Sequence, residues 1–214
     1  MIRSNSIALA FGLVLTATAC SNPADGKPQA KVEEAAPMDK TATPAVKTGV
    51  FTVNAGASKL GFVGSKVTGS HPGGFKKFTA TVDPKDGKVE GGSVSVEIDI
   101  DSMFSDSEKL TGHLKSADFF DAQAHPKATF QSSEIKAGGA DGHSHTVVGN
   151  LGLHGVTKQI TFPANISMSG GTVTVKSEFS INRKDFKMAY AGKADDLIRD
   201  EVVINLDLTF DGKA

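Results

Sequence analysis

Apolar and polar residues alternate with a period of two along most of the chain after residue 50. In the last such segment the even positions from Val202 to Phe210 are apolar, and the positions between them are mostly polar. The stretches 93–100 and 172–181 repeat this pattern. Because neighbouring side chains of a β-strand point to opposite faces, each strand has one apolar and one polar face. Further strands are predicted at 50–55, 59–68, 75–82, 127–136, 145–153 and 157–168.

Eight or nine antiparallel strands with one apolar face either stack as two sheets or close into a barrel. Glycines concentrated between Gly61 and Gly74 favour the barrel, because glycine permits the sharp coiling that closure requires. An eight-stranded barrel leaves an interior wide enough for one small ligand. The sequence therefore predicts an all-β fold, an antiparallel barrel of about eight strands, with a two-sheet sandwich as the alternative.

The alternation is interrupted between Gly112 and Phe130. The Ser105-x-x-Glu108 spacing predicts a capping box, and Leu110 and Leu114 follow at helical spacing, so a short lid helix is expected from about Asp106 to Ser116. Phe119 and Phe120 come directly after it. They are expected either to contact a ligand at the end of the barrel or to close that end as core residues.

The N-terminus has the features of a secretory signal peptide over residues 1–19. One positive charge precedes an apolar run that is too short to span a bilayer, and small residues lead to Cys20. Cys20 is the only cysteine, so no intramolecular disulfide can form. A cysteine at this position resembles the bacterial lipoprotein signal, in which the sulfur is acylated, and Ser21 after it favours the outer membrane. The alternative is ordinary cleavage after Ala19.

Composition divides the rest of the chain into two parts. Residues 20–49 are rich in proline and alanine, and the segment predicts a disordered tether after a lipidated cysteine. Residues 50–214 are long enough for one domain with its own core. Lys and Arg number 23 and Asp and Glu number 24, so the charge balance indicates neither nucleic acid nor a polybasic contact with membrane lipids.

No enzyme signature accompanies the barrel pattern. The six histidines are scattered, and no zinc-protease, nucleophile-elbow, phosphate-loop or dinucleotide motif occurs. Asp141, His143 and His145 are spaced two residues apart on a glycine-rich turn. This spacing is compatible with a weak metal site, and the alternative is a solvated hairpin tip. We therefore predict a protein that is not an enzyme, with no catalytic residues, no metal and no cofactor.

Three blocks of sequence together resemble the YceI-like family of secreted, lipocalin-like, polyisoprenoid-binding proteins. They are HLKSADFFD at 113–121 with His125-Pro126, VGNLGLHGVTK at 148–158, and INRKDF at 181–186. The resemblance covers residues 50–214 and implies a lipocalin-like barrel with an apolar interior. It also implies an isoprenoid-quinone, polyprenyl or fatty-acyl ligand.

The chain departs from the family pattern at several polar positions. Leu110-Thr111 replaces an Arg-Asp pair, residues 54–58 lack the usual Asp and His, and Lys187 replaces a glycine. The stretch 66–71 resembles a variant branch of the family. The region around Phe119 is therefore expected to act as an apolar gate.

Alternation and the matched blocks together select residues for the wall of a ligand cavity. These are Phe62, Phe75, Phe78, Leu114, Phe119, Phe120, Phe130, Leu151, Leu153, Phe162, Phe179 and Phe186. The alternative for each is packing in the outer layer or at a closed end. Candidates for contact with a polar headgroup are His113, Arg183 and Tyr190, and Arg183 has a structural ion pair with Asp118 or Asp185 as its alternative.

Two functions follow from these features. The first is a periplasmic lipoprotein that binds an apolar lipid for storage or transport and is anchored to the outer membrane through Cys20. The second is an envelope-anchored structural or interaction barrel whose own phenylalanines fill the interior. A soluble periplasmic or secreted protein is the alternative location, and pairing of two barrels as a homodimer stays open.

Overall fold

The computed structural model describes residues 22–37 and 49–212, which form fourteen strands, one α-helix and four single turns of 3-10 helix. The helix is α1 (Glu108–Leu114), and the 3-10 turns are Ala55–Ala57, Ile100–Ser102, Ala140–Gly142 and Arg183–Phe186. The strands are β1 (Lys31–Glu34), β2 (Phe51–Val53), β3 (Lys59–Lys66), β4 (Gly69–Phe75), β5 (Phe78–Lys85), β6 (Lys88–Asp99), β7 (Met103–Ser105), β8 (Lys127–Ala137), β9 (His145–Leu153), β10 (Val156–Ser169), β11 (Thr172–Asn182), β12 (Gly192–Lys193), β13 (Asp196–Leu197) and β14 (Glu201–Gly212).

Eight of these strands close into an antiparallel barrel. Their hydrogen-bonded order is β10, β9, β8, β6, β5, β2, β14 and β11, and β11 returns to β10. Strand β3 continues along β14 where β2 stops, so two short strands together pair with one long strand. The structure confirms the barrel and not the sandwich.

Side-chain alternation places the apolar face of each strand inside this ring. Along β14, Val202, Ile204, Leu206, Leu208 and Phe210 all line the interior, as the sequence pattern predicted. Strands β6 and β11 contribute their predicted apolar faces in the same way. The interior is therefore built from one face of every long strand.

The two ends of the barrel differ in how the strands are connected. Tight turns such as Asp86-Gly87 and Gly170-Gly171, in which both residues have positive φ, join the strands at one end. The opposite end, at which β14 begins, is termed the mouth. Longer segments meet there, namely 99–126 and 183–200. All three sequence blocks that resemble the family contribute to the mouth.

Helix α1 covers part of the mouth, but its N-terminus differs from the prediction. Ser107 is the N-cap and accepts a hydrogen bond from the Leu110 N–H at 3.4 Å. The predicted capping box from Ser105 to Glu108 is wrong, because Ser105 Oγ donates to the Ser107 carbonyl and contacts Thr111 Oγ1 instead. Glu108 is consequently the first helical residue and lies too early to complete such a box.

Two of the sequence blocks contact each other at the mouth. His154 and Gly155 form the turn between β9 and β10, both with positive φ, and the His125 ring lies over Gly155. A Cβ on Gly155 would approach the His125 ring to 2.5 Å, so this position requires glycine. His154 Nδ1 lies 3.0 Å from the Phe186 carbonyl, which connects the third block to the other two.

The N-terminal segment forms part of the barrel wall, so the predicted tether is wrong for residues 22–37. Pairing between β10 and β11 stops at Asn165 and Lys176, and β1 occupies the edge of β10 that is left free. Backbone hydrogen bonds of 2.8 and 2.9 Å join Ala30 and Pro28 to Ser180 of β11. Composition did not reveal this strand, because its partners in β10 and β11 are more than 100 residues away in the sequence.

Asn150 fixes the end of this segment. Its side chain accepts from the Ala36 N–H at 3.2 Å and donates to the Ala36 carbonyl at 2.8 Å. Ion pairs from Lys27 to Glu178 and from Lys158 to Glu34, each at 2.5 Å, reinforce the contact. The segment is therefore held at both ends.

The predicted signal peptide, Cys20 and the part of the predicted tether at 38–48 lie outside the described residues. Within the ranges that the structure describes, no helix is long and apolar enough to cross a membrane.

Introducing a charge at Ala30 tests whether β1 belongs to the cooperative fold. Ala30 is buried against the core, so Ala30→Asp should lower the free energy of unfolding by at least about 2 kcal/mol. Urea unfolding followed by circular dichroism measures this. Ala35→Asp is the matched control, because Ala35 is exposed in the same segment and should change stability by less than about 0.5 kcal/mol. Equal effects of the two substitutions would contradict the assignment.

Candidate ligand cavity

The barrel encloses a cavity of about 400 Å³ whose lining extends to residues of the mouth, including Lys66 and Arg199. Most of its lining is aliphatic or aromatic. This volume lies within the range of pockets that hold small molecules in proteins.

Most of the residues predicted for the cavity wall line it. They are Phe62, Phe75, Leu114, Phe119, Phe120, Phe130, Leu151, Leu153, Phe162 and Phe179. Phe78 and Phe186 do not line it. Phe78 lies at the start of β5 on the same inward face as Ala80 and Val82 and packs against the core. Phe186 lies in the 183–200 segment and is fully buried as a core residue.

Many side chains that point into the barrel keep part of their surface accessible and are only half-buried. They include Val94, Val96, Ile98, Leu151, Val202, Ile204 and Leu206. Their remaining accessible surface faces the cavity, because the opposite face of each strand is the outer one. The phenylalanines of the barrel therefore do not fill its interior.

Aromatic rings form two groups along the cavity. Phe162 and Phe179 stack at 4.3 Å between ring centroids, and Phe130 meets Phe162 at 5.7 Å. Nearer α1, Phe75 contacts both Phe62 and Phe120, at 5.9 and 6.2 Å. The lid thus extends the apolar wall across the mouth.

His113 in α1 and Tyr190 in the 183–200 segment, two of the headgroup candidates, do not line the cavity. The His113 ring meets the rings of Phe119 and Tyr190 edge to face, each at 5.0 Å between centroids. His113 Nε2 also lies 2.8 Å from Asp118 Oδ2. These contacts join α1 to the 183–200 segment.

Arg183, the third headgroup candidate, lines the cavity but uses its donors within the protein. Its guanidinium donates to the carbonyls of Met188 at 2.5 Å and Arg199 at 3.0 Å, and pairs with Asp200 at 3.2 Å. Burial lowers the pKa of Arg183, and the Asp200 carboxylate opposes that shift. The predicted structural ion pair exists, but its partner is Asp200 and not Asp118 or Asp185.

The turn with Asp141, His143 and His145 lies at the end opposite the mouth. His145 Nε2 is 3.4 Å from Glu90 Oε1, and His143 Nδ1 is 2.7 Å from the Ala140 carbonyl. A backbone hydrogen bond lowers the pKa of Glu90, and the charge of His145 adds to this. Among the described residues, no group of three or more metal-ligating side chains is close enough to hold an ion.

Sequence reasoning missed four polar residues in the lining, namely Ser65, Lys66, His71 and Arg199. Ser65 lies at the end of β3, and Arg199 lies two residues before β14. No motif marks either of them. Only the pairing of their two segments at the mouth brings them together.

A family model described as the YceI-like domain matches residues 51–210 of this chain. The chain belongs to the YceI-like family. The matched range coincides with the barrel from β2 to Phe210 of β14, so the whole cavity lies inside the YceI-like domain.

Known relatives extend this comparison. A UPF0312 protein of Pseudomonas putida (strain W619) is 36% identical over 98 residues, which are 46% of this chain and 50% of that protein. The match thus spans about half the length of that relative. The crystal structure of BcnA from Burkholderia cenocepacia superposes on this chain with a TM-score of 0.61 at 30% sequence identity. The match covers 73% of this chain and 98% of BcnA.

A more distant structure has the same fold. It is a polyisoprenoid-binding domain from Saccharophagus degradans implicated in plant cell wall breakdown, with a TM-score of 0.60 at 19% identity. The match covers 76% of this chain and 98% of that domain.

The departure from the YceI-like pattern at Leu110-Thr111 has a structural counterpart. Leu110 lines the cavity, and Thr111 Oγ1 accepts from the Ser105 N–H at 2.9 Å and donates to the Ser107 carbonyl at 3.0 Å. At this point the helix therefore presents the apolar Leu110 to the cavity. The Thr111 hydroxyl is occupied by hydrogen bonds to the backbone just before the helix.

Replacing Arg183 tests its structural role at the mouth. Arg183→Met leaves three carbonyls without a donor and removes the buried partner of Asp200, so the free energy of unfolding should fall by about 3 kcal/mol or more. Thermal and urea unfolding measure the change. Lys184→Met is the control, since Lys184 is exposed and pairs with the same Asp200 at 2.8 Å, and it should cost about 1 kcal/mol at most. A small effect at Arg183 would contradict this role.

Acid should weaken the contact between β13 and the β3–β4 turn. Hydrogen bonds from Lys66 and Thr68 lower the pKa of Asp196. A carboxylate whose pKa is lower in the folded state stabilises that state above its unfolded pKa of about 4, and this contribution is lost as the pH falls through the folded pKa. The difference in stability between wild type and Asp196→Asn should therefore shrink below about pH 4. A difference independent of pH would contradict the prediction.

Proposed function

We propose that this YceI-like barrel binds an apolar, lipid-like molecule for storage or transport. The supporting observation is the cavity of about 400 Å³ whose aliphatic and aromatic lining is left half-buried. An isoprenoid-quinone, polyprenyl or fatty-acyl chain has the chemistry of that lining. The polyisoprenoid-binding relative from Saccharophagus degradans supports the same ligand class.

The energetics agree with binding through the hydrocarbon chain of the ligand. Burial contributes about 25 cal/mol for each Å² of apolar surface, so roughly 300 Å² of buried chain gives about 7 kcal/mol before the cost of association. Such a ligand needs no covalent step from the protein. We therefore assign a binding function and no catalytic one.

We further propose a location in the bacterial envelope. The sequence features of residues 1–19 and Cys20 support secretion to the periplasm and an acyl anchor in the outer membrane. A lipid carrier anchored there would exchange its ligand with the adjacent bilayer. Radiolabelled palmitate incorporation into wild type, and its loss in Cys20→Ser, tests the anchor.

The binding function is tested by recovering and replacing the ligand. Native mass spectrometry of the purified chain, followed by organic extraction, should reveal an apolar molecule at close to one per barrel. Delipidated protein should take up a ubiquinone or a polyprenol. A barrel that is isolated empty and takes up neither would support the alternative, an interaction barrel without a ligand.

A substitution that fills the cavity should block uptake. Val96 faces the cavity from β6, and Val96→Trp should weaken ligand binding at least tenfold, about 1.4 kcal/mol, by occupying the space of the chain. Ser95→Trp is the matched control, because Ser95 is exposed on the outer face of the same strand. Circular dichroism verifies folding, and Ile204→Phe provides a second filling variant. Unchanged uptake by both folded variants would place the ligand elsewhere.

A further inference from the structure

Strand pairing in the barrel wall is interrupted between β10 and β11. The two strands pair only as far as Asn165 with Lys176, although both continue towards the mouth. Pro163 follows on β10, where its carbonyl accepts from Ser177 Oγ at 2.5 Å and so faces β11. Because proline has no N–H, the ladder cannot be extended from this residue. The unpaired parts of β10 and β11 are termed the seam.

Residues 28–34, termed the strap, occupy the seam. If the register of β10 and β11 continued, Thr161 would lie opposite Ser180. Instead Lys31 pairs with Thr161, and the Ala30 N–H donates to the Ser180 carbonyl at 2.8 Å. Neighbouring strands are spaced by about 4.8 Å, so a strand placed between them separates the two backbones by roughly 10 Å. Removing the strap would therefore leave a gap wide enough for a hydrocarbon chain.

The cavity lies directly behind the strap. Phe162 and Phe179 stack at 4.3 Å between ring centroids, and both rings line the cavity. Ala30 of the strap is only 5% exposed and belongs to the same apolar core. At this level the wall therefore consists of the strap on the outside and two aromatic rings on the inside.

The two edges of the strap are held unequally. On the β10 edge, residues 31–34 form four consecutive pairs, and the Asn150 side chain adds two hydrogen bonds to the backbone that follows. On the β11 edge, the polar contacts among the described residues are two backbone hydrogen bonds at Ser180 and the ion pair between Lys27 and Glu178. These two charged side chains are 35% and 46% exposed, and exposed ion pairs contribute little to stability. The β11 edge is therefore the weaker one.

The mouth is closed by stronger contacts than the seam. Arg183 is 3% exposed and holds the carbonyls of Met188 and Arg199 in place. Breaking hydrogen bonds to a buried charge costs more free energy than breaking exposed ones. Local opening of the barrel is consequently expected at the seam before it occurs at the mouth.

We propose that the ligand enters and leaves the cavity through the seam, between the strap and β11, when residues 27–30 separate from Ser180 and Glu178. This inference rests on the proposed lipid-binding function and adds the route of exchange. The opening is local and leaves the rest of the barrel folded. The strap precedes the range 51–210 that matches the YceI-like domain, so entry is controlled by a segment outside that domain.

A reversible cross-link across the weak edge tests the route. Gln29 and Ser180 form a bridge, so Gln29→Cys with Ser180→Cys places two cysteines within reach of a disulfide. Cys20→Ser in the full-length chain removes the remaining thiol. Release of cis-parinaric acid, followed by stopped-flow fluorescence, should be at least tenfold slower in the oxidised protein. Dithiothreitol should restore the rate, and the equilibrium affinity should change less than twofold because the closed state is the same.

A cross-link on the other edge of the strap is the matched control. Glu33 pairs with Gln159 of β10, so Glu33→Cys with Gln159→Cys locks that edge and should change release less than twofold. Equal slowing by both disulfides would indicate general stiffening and overturn the proposal. An unchanged rate in the first variant would overturn the route and leave the binding function intact. Failure of wild type to bind the probe would reject both.

The ion pairs at the two edges provide a second comparison. Lys27→Gln should speed release at least threefold, because it removes the charge contact on the β11 edge. Lys158→Gln removes the 2.5 Å pair with Glu34 on the β10 edge and should change release less than 1.5-fold. Raising NaCl from about 0.05 to about 0.5 M should speed release from wild type but not from Lys27→Gln. A larger effect at Lys158 would place the opening on the β10 edge and contradict the proposal.

Hydrogen exchange measures the opening without any ligand. The amides of Ala30 and Ser180 are bonded across the weak edge and should exchange at least tenfold faster than those of β14. The disulfide between positions 29 and 180 should reduce this difference. Exchange as slow as that of β14 in wild type would show that the strap opens only with the whole barrel, which would overturn the proposal.

Discussion

Closure of the hydrogen-bonded ring is the constraint on which the other features of this molecule depend. A sheet with one apolar face must cover that face, and here it does so by curling until β11 meets β10. The inward side chains are mainly Val, Ile, Leu and Phe, which are too small to fill the space that eight strands enclose. The cavity is thus a consequence of strand number and side-chain size together.

The open end of such a ring has to be stabilised by other means, and the chain uses its polar residues for this purpose. The Arg183 guanidinium holds the carbonyls of Met188, Ile198 and Arg199, so one buried side chain shapes the segment that borders the mouth. His113 and Phe119 connect the helix to the same segment through Tyr190. Polar groups therefore connect the segments around the mouth, and apolar residues line it where α1 crosses.

The sequence predicted the features that depend on local pattern. Alternation along β14 predicted which side chains point inward, and the short helix predicted from about Asp106 to Ser116 is present as α1 (Glu108–Leu114). The glycine-rich β4 has no apolar alternation and was missed as a strand; it exists because Gly73 leaves room for the Phe62 ring, which a Cβ would approach to 2.5 Å. Ser65 and Arg199 were not predicted either, because only the pairing of segments distant in sequence brings them together.

The position of β1 in the wall changes how an acylated Cys20 would hold the barrel at a membrane. A free tether of residues 20–49 would let the domain diffuse over a wide zone, but the chain is already fixed to Glu178 at Lys27. Lys27 lies seven positions after Cys20, and even fully extended this stretch reaches no further than about 25 Å. An anchor of this length would keep the barrel within about its own diameter of the bilayer, and tension on the anchor would act directly on the seam between β10 and β11.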